Sequence, residues 1–382
     1  MSSSWLGEYL WADWIWFPEG YGWADLKDPD VVLPQLSDLW AFIPIAVCFL
    51  VLRPIFERWV AVPLASLLGV RDKKRASPPS NPVLEAHFCS VAKHPTQSAL
   101  ETLSKRADCS VRQVQRWFKL RRNQDRPSKI KKFQEASWRF TFYLFAFFAG
   151  LATLIDKPWF YNMKRMWDNF PKMPLLPSQY WYYMIELGFY VSLLVSVASD
   201  VKRKDFKEQI VHHIATILLV GFSWLVNYIR GGTLIMLAHD ASDYLMESAK
   251  MFNYAGWKRT CNFIFVVFAV VFIITRLVIF PFCIIHATLV YPMTIYKPFF
   301  GFYFFNGLLL LLLALHVFWA GLIVRMVIKF LPGNDIVEDE RSDKEETDSE
   351  DEDGSGERNR SLKNGHLHNG HAALNNNRRK MD

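Results

Sequence analysis

Two adjacent histidines, His212 and His213, stand about one turn inside an apolar run that opens IVHHIATI. The next apolar run, GGTLIMLAHDASDYLMESAK, carries His239, Asp240, Asp243 and Glu247. Helical spacings of three and four put Asp240, Asp243 and Glu247 on one stripe, and His239 and Asp243 are also four apart. A histidine oriented by a carboxylate is the usual arrangement of a general base or an activated nucleophile. Ionisable groups within an apolar segment are costly, and by default they are functional candidates facing a cavity. The pattern leaves catalysis, transport and helix–helix hydrogen bonding all open. Neighbouring histidines point about 100° apart on a helix, so one of the two is expected to be central. The set also suits proton relay or metal binding, but the H-x-x-E-H zinc pattern is lacking and no metal site is expected.

The elements that position these residues must be membrane helices. The chain has 382 residues, 51% hydrophobic and 16% aromatic, with a formal charge of +7. That excludes a small disulfide scaffold and a disordered chain. The five cysteines are scattered and form no CxxC pair. No removed signal peptide is evident at the N-terminus. Apolar runs of about 18 residues read as spans. They fall at about Trp40–Leu52, Phe140–Ile155, Tyr180–Ser199, Ile210–Ile229, Gly232–Phe252, Asn262–Ala287 and Phe302–Val327. The shorter stretch Trp59–Val70 reads as interfacial. The expected fold is an all-α polytopic membrane protein with about seven transmembrane helices and a small cytosolic helical module, because helices satisfy their own backbone hydrogen bonds in lipid. The short turn after Ile229 makes the fourth and fifth spans an antiparallel hairpin, which brings the histidines near the carboxylate stripe. Glu186 and Arg276 are expected to pair or to line one cavity, and His316, alone in its span, to be a structural hydrogen-bonding group.

Orientation follows from Lys and Arg. Between Arg53 and Arg139 there are 19, and the loops DVKRKDFKEQ and GWKRT are also basic. The positive-inside rule puts these in the cytosol, with a lumenal N-terminus and a cytosolic C-terminus. The tail from Asp335 to Asp353 has twelve Asp or Glu against two Lys or Arg and reads as disordered. Ser342, Thr347 and Ser349 each have Glu three residues on, an acidophilic-kinase context. Asn359 opens a glycosylation sequon on the cytosolic side and is expected to be unused. The closing RRKMD is similar to a dibasic endoplasmic-reticulum retrieval signal.

Within residues 81–128 stands VRQVQRWFKLRRNQ, which resembles the third helix of a homeodomain through Val114, Trp117, Phe118, Arg121 and Arg122. The asparagine that reads adenine aligns with Leu120, which cannot contact a base edge bidentately. Trp117 and Phe118 are therefore expected to be core residues, and DNA binding is not expected.

The longest resemblance runs through DVKRKDFKEQIVHHIATI and NYIRGGTLIMLAHDASDYLMESAKMFNYAGW. These resemble the Lag1 motif of the ceramide synthases, within the TRAM–Lag1–CLN8 (TLC) domain. WADL near the start, WRFTFYL and the acidic tail are similar as well. One departure is PEGYGWADL, which lacks a sequon that related chains often carry before WADL. The resemblance implies residues 1–36 as a lumenal segment, 37–58 as the first transmembrane helix and 59–130 as a cytosolic homeobox-like module. It further implies 131–332 as the catalytic TLC domain with six transmembrane helices and 333–382 as a disordered acidic tail.

It also implies transfer of an acyl group from acyl-CoA to the nitrogen of sphinganine or sphingosine, in the endoplasmic-reticulum membrane. Acyl-CoA is then a co-substrate and no cofactor is bound. Similarity is greatest to members that take very long chains, about C22–C24, which need a long apolar tunnel. The family's catalytic positions map onto His212, His213, Asp240 and Asp243, with His239 and Glu247 supporting. His212 is expected to be the nucleophile of an acyl-imidazole route. Lys202, Arg203 and Lys204 are expected to meet the CoA phosphates. Chain-length choice is associated with a loop that here comprises Tyr291, Pro292, Met293, Thr294, Ile295, Tyr296, Lys297, Pro298, Phe299, Phe300 and Gly301. Dimers with itself or with other ceramide synthases are a family-level expectation. The rival reading is a non-enzymatic lipid-binding or translocation-associated membrane protein.

Overall fold

The computed structural model describes residues 5–72 and 75–330. Ser342, Thr347, Ser349, Asn359 and the dibasic end lie outside them. Every regular element among the described residues is helical. Two compact units form, one from the described parts of residues 1–74 and 126–343, the other built on residues 75–125.

In the larger unit, helix α1 is Phe42–Phe56. Pro54 lacks a backbone N–H, and a π-helical turn, Glu57–Ala61, follows it before the chain resumes as Val62–Leu67. The stretch 59–70, expected to stand apart at the interface, is thus largely a continuation of the first helix.

The smaller unit is a three-helix module of α2 (Pro82–Ser90), α3 (Gln97–Arg106) and α4 (Val111–Asp125). Asn81 and Thr96 cap α2 and α3 by accepting from backbone N–H groups of the first turn. Leu84, Phe88, Leu100, Leu103, Val114, Trp117 and Phe118 make the module's core. The Trp117 indole N–H donates to the Pro79 carbonyl at 2.7 Å. Trp117 and Phe118 are therefore core residues, as expected. Leu120 is buried too, and so presents no side chain to a partner.

The remaining helices belong to the larger unit. Besides the short helices Trp5–Leu10, Asp13–Trp16 and Pro158–Tyr161, they are α5 (Lys129–Leu154), α6 (Pro177–Ser196), α7 (Phe206–Leu225), α8 (Ile229–Ala255), α9 (Lys258–Phe272) and α10 (Phe300–Phe330). Gly256 ends α8 with φ of 80°, the left-handed cap that glycine adopts without strain. Helix α9 runs on into a π-helical stretch, Ile273–Val290.

Among the described residues, four segments are long and apolar enough to cross a membrane: Leu36–Leu67, Phe206–Leu225, Lys258–Thr294 and Phe300–Ile328. The other three expected spans form α5, α6 and α8, of 26, 20 and 27 residues. These are less apolar, α8 because it carries the ionisable cluster. Helix α8 packs along α5 and α9, so neighbouring helices cover much of its polar surface.

Candidate active site

The histidines of α7 and the cluster of α8 come together as the hairpin predicts. His212 is 9% exposed, and its ring stacks on that of His239 with centroids 6.3 Å apart. Trp319 of α10 meets the other side of His212 edge-on at 5.5 Å. His213 lies 5.7 Å from His212 and 5.9 Å from the Tyr190 ring. The buried Nδ1 atoms of both His212 and His213 have no hydrogen-bond partner among the described residues.

His239 is committed instead. Its Nδ1 donates to the Ile235 carbonyl at 2.7 Å, since a carbonyl only accepts. In the neutral ring Nε2 then carries the lone pair, and the His316 Nε2–H, 3.0 Å away, donates to it. His316 is fully buried and is left with an unpartnered Nδ1. His316 is thus a hydrogen-bonding group, as expected, and its partner is another histidine. One lone histidine in an apolar helix gives no sign of a partner 77 positions away.

The carboxylates divide. Asp243 binds Arg276, whose guanidinium also donates to the His239 carbonyl at 2.8 Å and to Ser242 Oγ at 3.2 Å. The guanidinium–Asp243 contact is 2.5 Å, with side chains 4% and 14% exposed. Arg276 thus pairs with Asp243 and not with Glu186. Glu247 pairs with Lys250 at 2.6 Å. Asp240 accepts from the Tyr182 hydroxyl at 3.0 Å and lies against Glu186, whose two oxygens find no partner. None of the three carboxylates of the stripe hydrogen-bonds His212 or His213, because the stripe rotates past them into three separate environments.

Two cavities lie end to end along α7. The first is a partly open cavity, and His212, His213, Asp243, Glu247 and Arg276 stand in its wall. Arg139, Arg203 and Lys250 add cationic groups. The second is apolar, walled by residues such as Leu219, Val220, Met236, Phe302 and Phe305. His239 stands in its wall. Along α7 the lining passes from Phe206, Gln209, His212 and His213 to Thr216, Leu219, Val220 and Ser223, so the stacked His212–His239 pair marks the junction. Among the described residues no group of three His, Cys, Asp or Glu is arranged to hold a metal.

Of the three predicted phosphate-binding cations, only Arg203 lines the cavity, while Lys202 and Lys204 are exposed beside it. Sequence reasoning missed Arg139, which it read only as a topology signal, and Lys250, to which it gave no role. None of the residues Tyr291–Gly301 lines either cavity; Thr288 before the loop and Phe302, Phe305 and Asn306 after it do. Asn306, a lone amide in an apolar run, was the available signal, and it bonds Thr288 at both oxygen and nitrogen.

The chain matches two family models, the TLC domain over residues 132–325 and the homeodomain over residues 71–127. It is 48% identical to human ceramide synthase 3 over 339 residues, 88% of each chain. It is 46% identical to human ceramide synthase 4, over 89% of this chain and 86% of that one. It is 43% identical to human ceramide synthase 5, over 89% and 87%. All of the site residues named above lie within the TLC match, and the chain belongs to the ceramide synthase family of sphingosine N-acyltransferases.

Proposed function

We propose that this protein transfers a very-long-chain acyl group, about C22–C24, from acyl-CoA to the amine of sphinganine or sphingosine, with the chain held in an apolar tunnel. The carrying observation is the junction: a polar, cation-walled cavity meets an apolar one at His212 and His239. The polar cavity suits the CoA portion, with Arg203, Arg139 and Lys250 near its phosphates. The apolar cavity suits the acyl chain, and the thioester then falls at the junction.

A thioester leaves as a thiolate of pKa about 8.5 and needs little acid help. The difficult group is the amine, which is mostly protonated at neutral pH. His212 attacks the thioester carbon, the C–S bond breaks, and an acyl-imidazole forms as CoA thiolate leaves and takes up a proton. The sphingoid amine, its proton taken by His213, attacks the acyl-imidazole and releases His212 with the amide formed. An uncommitted Nδ1 on each imidazole fits these roles, since a nucleophile and a base must be free to meet substrate. Asp243, held by Arg276, and Asp240, held by Tyr182, set the local charge rather than orienting either ring directly.

The chain then crosses the endoplasmic-reticulum membrane seven times, with α5, α6 and α8 as spans sheltered by their neighbours. The N-terminus is lumenal and the homeobox-like module cytosolic. That module does not read DNA, given Leu120 at the base-reading position. Ser342, Thr347 and Ser349 are phosphorylation candidates, and dimers form with itself or with other ceramide synthases.

The test is mass-spectrometric product analysis of the purified protein given sphinganine and acyl-CoAs of graded length. Very-long-chain dihydroceramide is expected from wild type. In folded His212→Ala the rate should fall by on the order of 10³-fold or more, as on losing a nucleophile. In His213→Ala it should fall by about 10²–10⁴-fold, the range for a lost general base. Without amine, wild type should carry the acyl mass on the peptide containing His212. No product at any chain length from folded protein would overturn the reading and favour a lipid carrier.

A further inference from the structure

We infer that the N-terminal segment, residues 11–23, closes the far end of the apolar cavity, and that Trp16 limits the acyl length the cavity accepts. The inference rests on the reading of that cavity as the acyl site. Ser223 is the last α7 residue in the cavity wall, at the end away from His212. At that end the indole of Trp16, 6% exposed, stacks on Phe222 of α7 with centroids 5.0 Å apart. It meets Phe304 and Phe300 of α10 edge-on at 5.5 Å and 6.0 Å. Phe222 adjoins the wall residue Ser223, and Phe304 adjoins the wall residue Phe305. Trp16 is therefore wedged in the seam between the two helices that carry the cavity's far wall. Ile15, Trp16 and Phe17 share one apolar cluster with the wall residues Leu219, Phe305, Leu309 and Leu312.

The wedge is held from its own side. The Trp16 indole N–H donates to the Leu10 carbonyl at 2.8 Å. The Trp23 backbone N–H donates to Asp13 Oδ1 at 3.0 Å, and its indole N–H donates to the Trp11 carbonyl at 2.7 Å. Phe17 is 1% exposed and takes the Trp23 ring edge-on at 4.9 Å. The backbone of the segment also lies close on the first turn of α10. A Cβ at Gly301 would meet the Trp16 and Ile15 carbonyl oxygens at 3.2 Å and 3.3 Å. A side chain at position 301 therefore presses directly on the wedge. Interiors are close-packed, so removing an indole here opens volume that the seam refills only in part.

The experiment gives purified wild type, Trp16→Ala, Trp16→Phe and Gly301→Ala an equimolar mixture of C16 to C26 acyl-CoAs with sphinganine, and reads each product by mass spectrometry. The C26-to-C22 product ratio is expected to rise about tenfold in Trp16→Ala, the scale on which apolar pockets discriminate chain length. Smaller rises are expected in Trp16→Phe and Gly301→Ala. Active variants with the wild-type ratio overturn the inference and leave the acyltransferase reading standing. An inactive wild type overturns both. Should the variants fail to fold, a C24 acyl-CoA with a terminal diazirine is photolysed on the wild-type protein. Cross-links are expected in the peptides holding Trp16, Phe222 or Phe304, and cross-links confined to other peptides overturn the inference.

Discussion

The three-helix module and the membrane-helix unit treat their charged groups in opposite ways. In the module, Arg121 donates from Nε to both oxygens of Glu85 at 3.0 Å, and from a terminal nitrogen to Asp125 at 2.6 Å. Lys93 closes the set on Asp125 at 2.9 Å. The core beneath is wholly apolar. In the membrane-helix unit, His212, Glu186, Asp240, Glu247 and His316 are themselves buried, and each keeps a polar atom with no protein partner; the module has such an atom too, His87 Nε2, but on a side chain that is only half-buried. Buried polar atoms are ordinarily satisfied, because leaving one unpaired costs about 1–3 kcal/mol. A fold built for stability alone has no reason to bury several ionisable groups in one unit. The contrast sets the two units apart by the burial of ionisable groups, independently of any motif.

The contrast is broken most severely at Arg276. Removing it in Arg276→Ala strands Asp243 in a buried site and frees the His239 carbonyl and Ser242 hydroxyl. A loss of about 3–5 kcal/mol of stability is expected, as when one partner of a buried pair is deleted. Thermal unfolding in detergent measures it. Arg276→Leu combined with Asp243→Leu should recover a large part of the loss. A double variant as unstable as the single one would mean that the guanidinium acts through its other two bonds.

His316 gives a smaller effect of the same kind. His316→Leu leaves His239 Nε2 buried and unpaired, at a cost of about 1–3 kcal/mol. It also removes the donor that fixes the tautomer of His239, so activity should fall with stability. His316→Gln, whose amide can still donate, should restore much of both. Nitrogen-15 spectra of histidine-labelled protein report the tautomer directly. A His239 Nδ1–H signal unchanged in His316→Leu would show that the Ile235 carbonyl suffices to hold it.

Much of this arrangement was legible in the sequence. The hairpin of α7 and α8 followed from its short turn, and the module's core from Val114, Trp117 and Phe118. Helical periodicity gave the stripe of Asp240, Asp243 and Glu247 but not its partners, because periodicity describes one helix and not what faces it. Arg276 therefore looked equally suited to Glu186 and Asp243. His316 could not be joined to His239, since their contact depends on how α8 and α10 pack. The cavity wall escaped for a similar reason. Composition marked Tyr291–Gly301 as the joining loop, but the wall is made by helix faces on either side of it. The N-terminal segment carried no signal beyond its tryptophans.

The mildest perturbation belongs to the module. Hydrogen bonding from Arg121 holds Glu85 below its ordinary value of 4.5. Hydrogen bonding from Lys93, then from Arg121, holds Asp125 below its ordinary value of 3.8. A carboxylate whose folded pKa is depressed stabilises the fold above its unfolded pKa, and that contribution is lost as pH falls through the folded value. The module should thus keep its full stability above about pH 5 and lose it progressively as pH drops below 4.5 and then 3.8. Both carboxylates are well exposed, so solvent screening keeps the effect small. Limited proteolysis of the intact protein between Asn81 and Asp125 follows it. Arg121→Ala should be cleaved faster than wild type near neutral pH and should show a flatter acid dependence. Equal acid dependence in the two proteins would assign the loss to other groups, and the ion pairs of the module would then contribute nothing measurable to its stability.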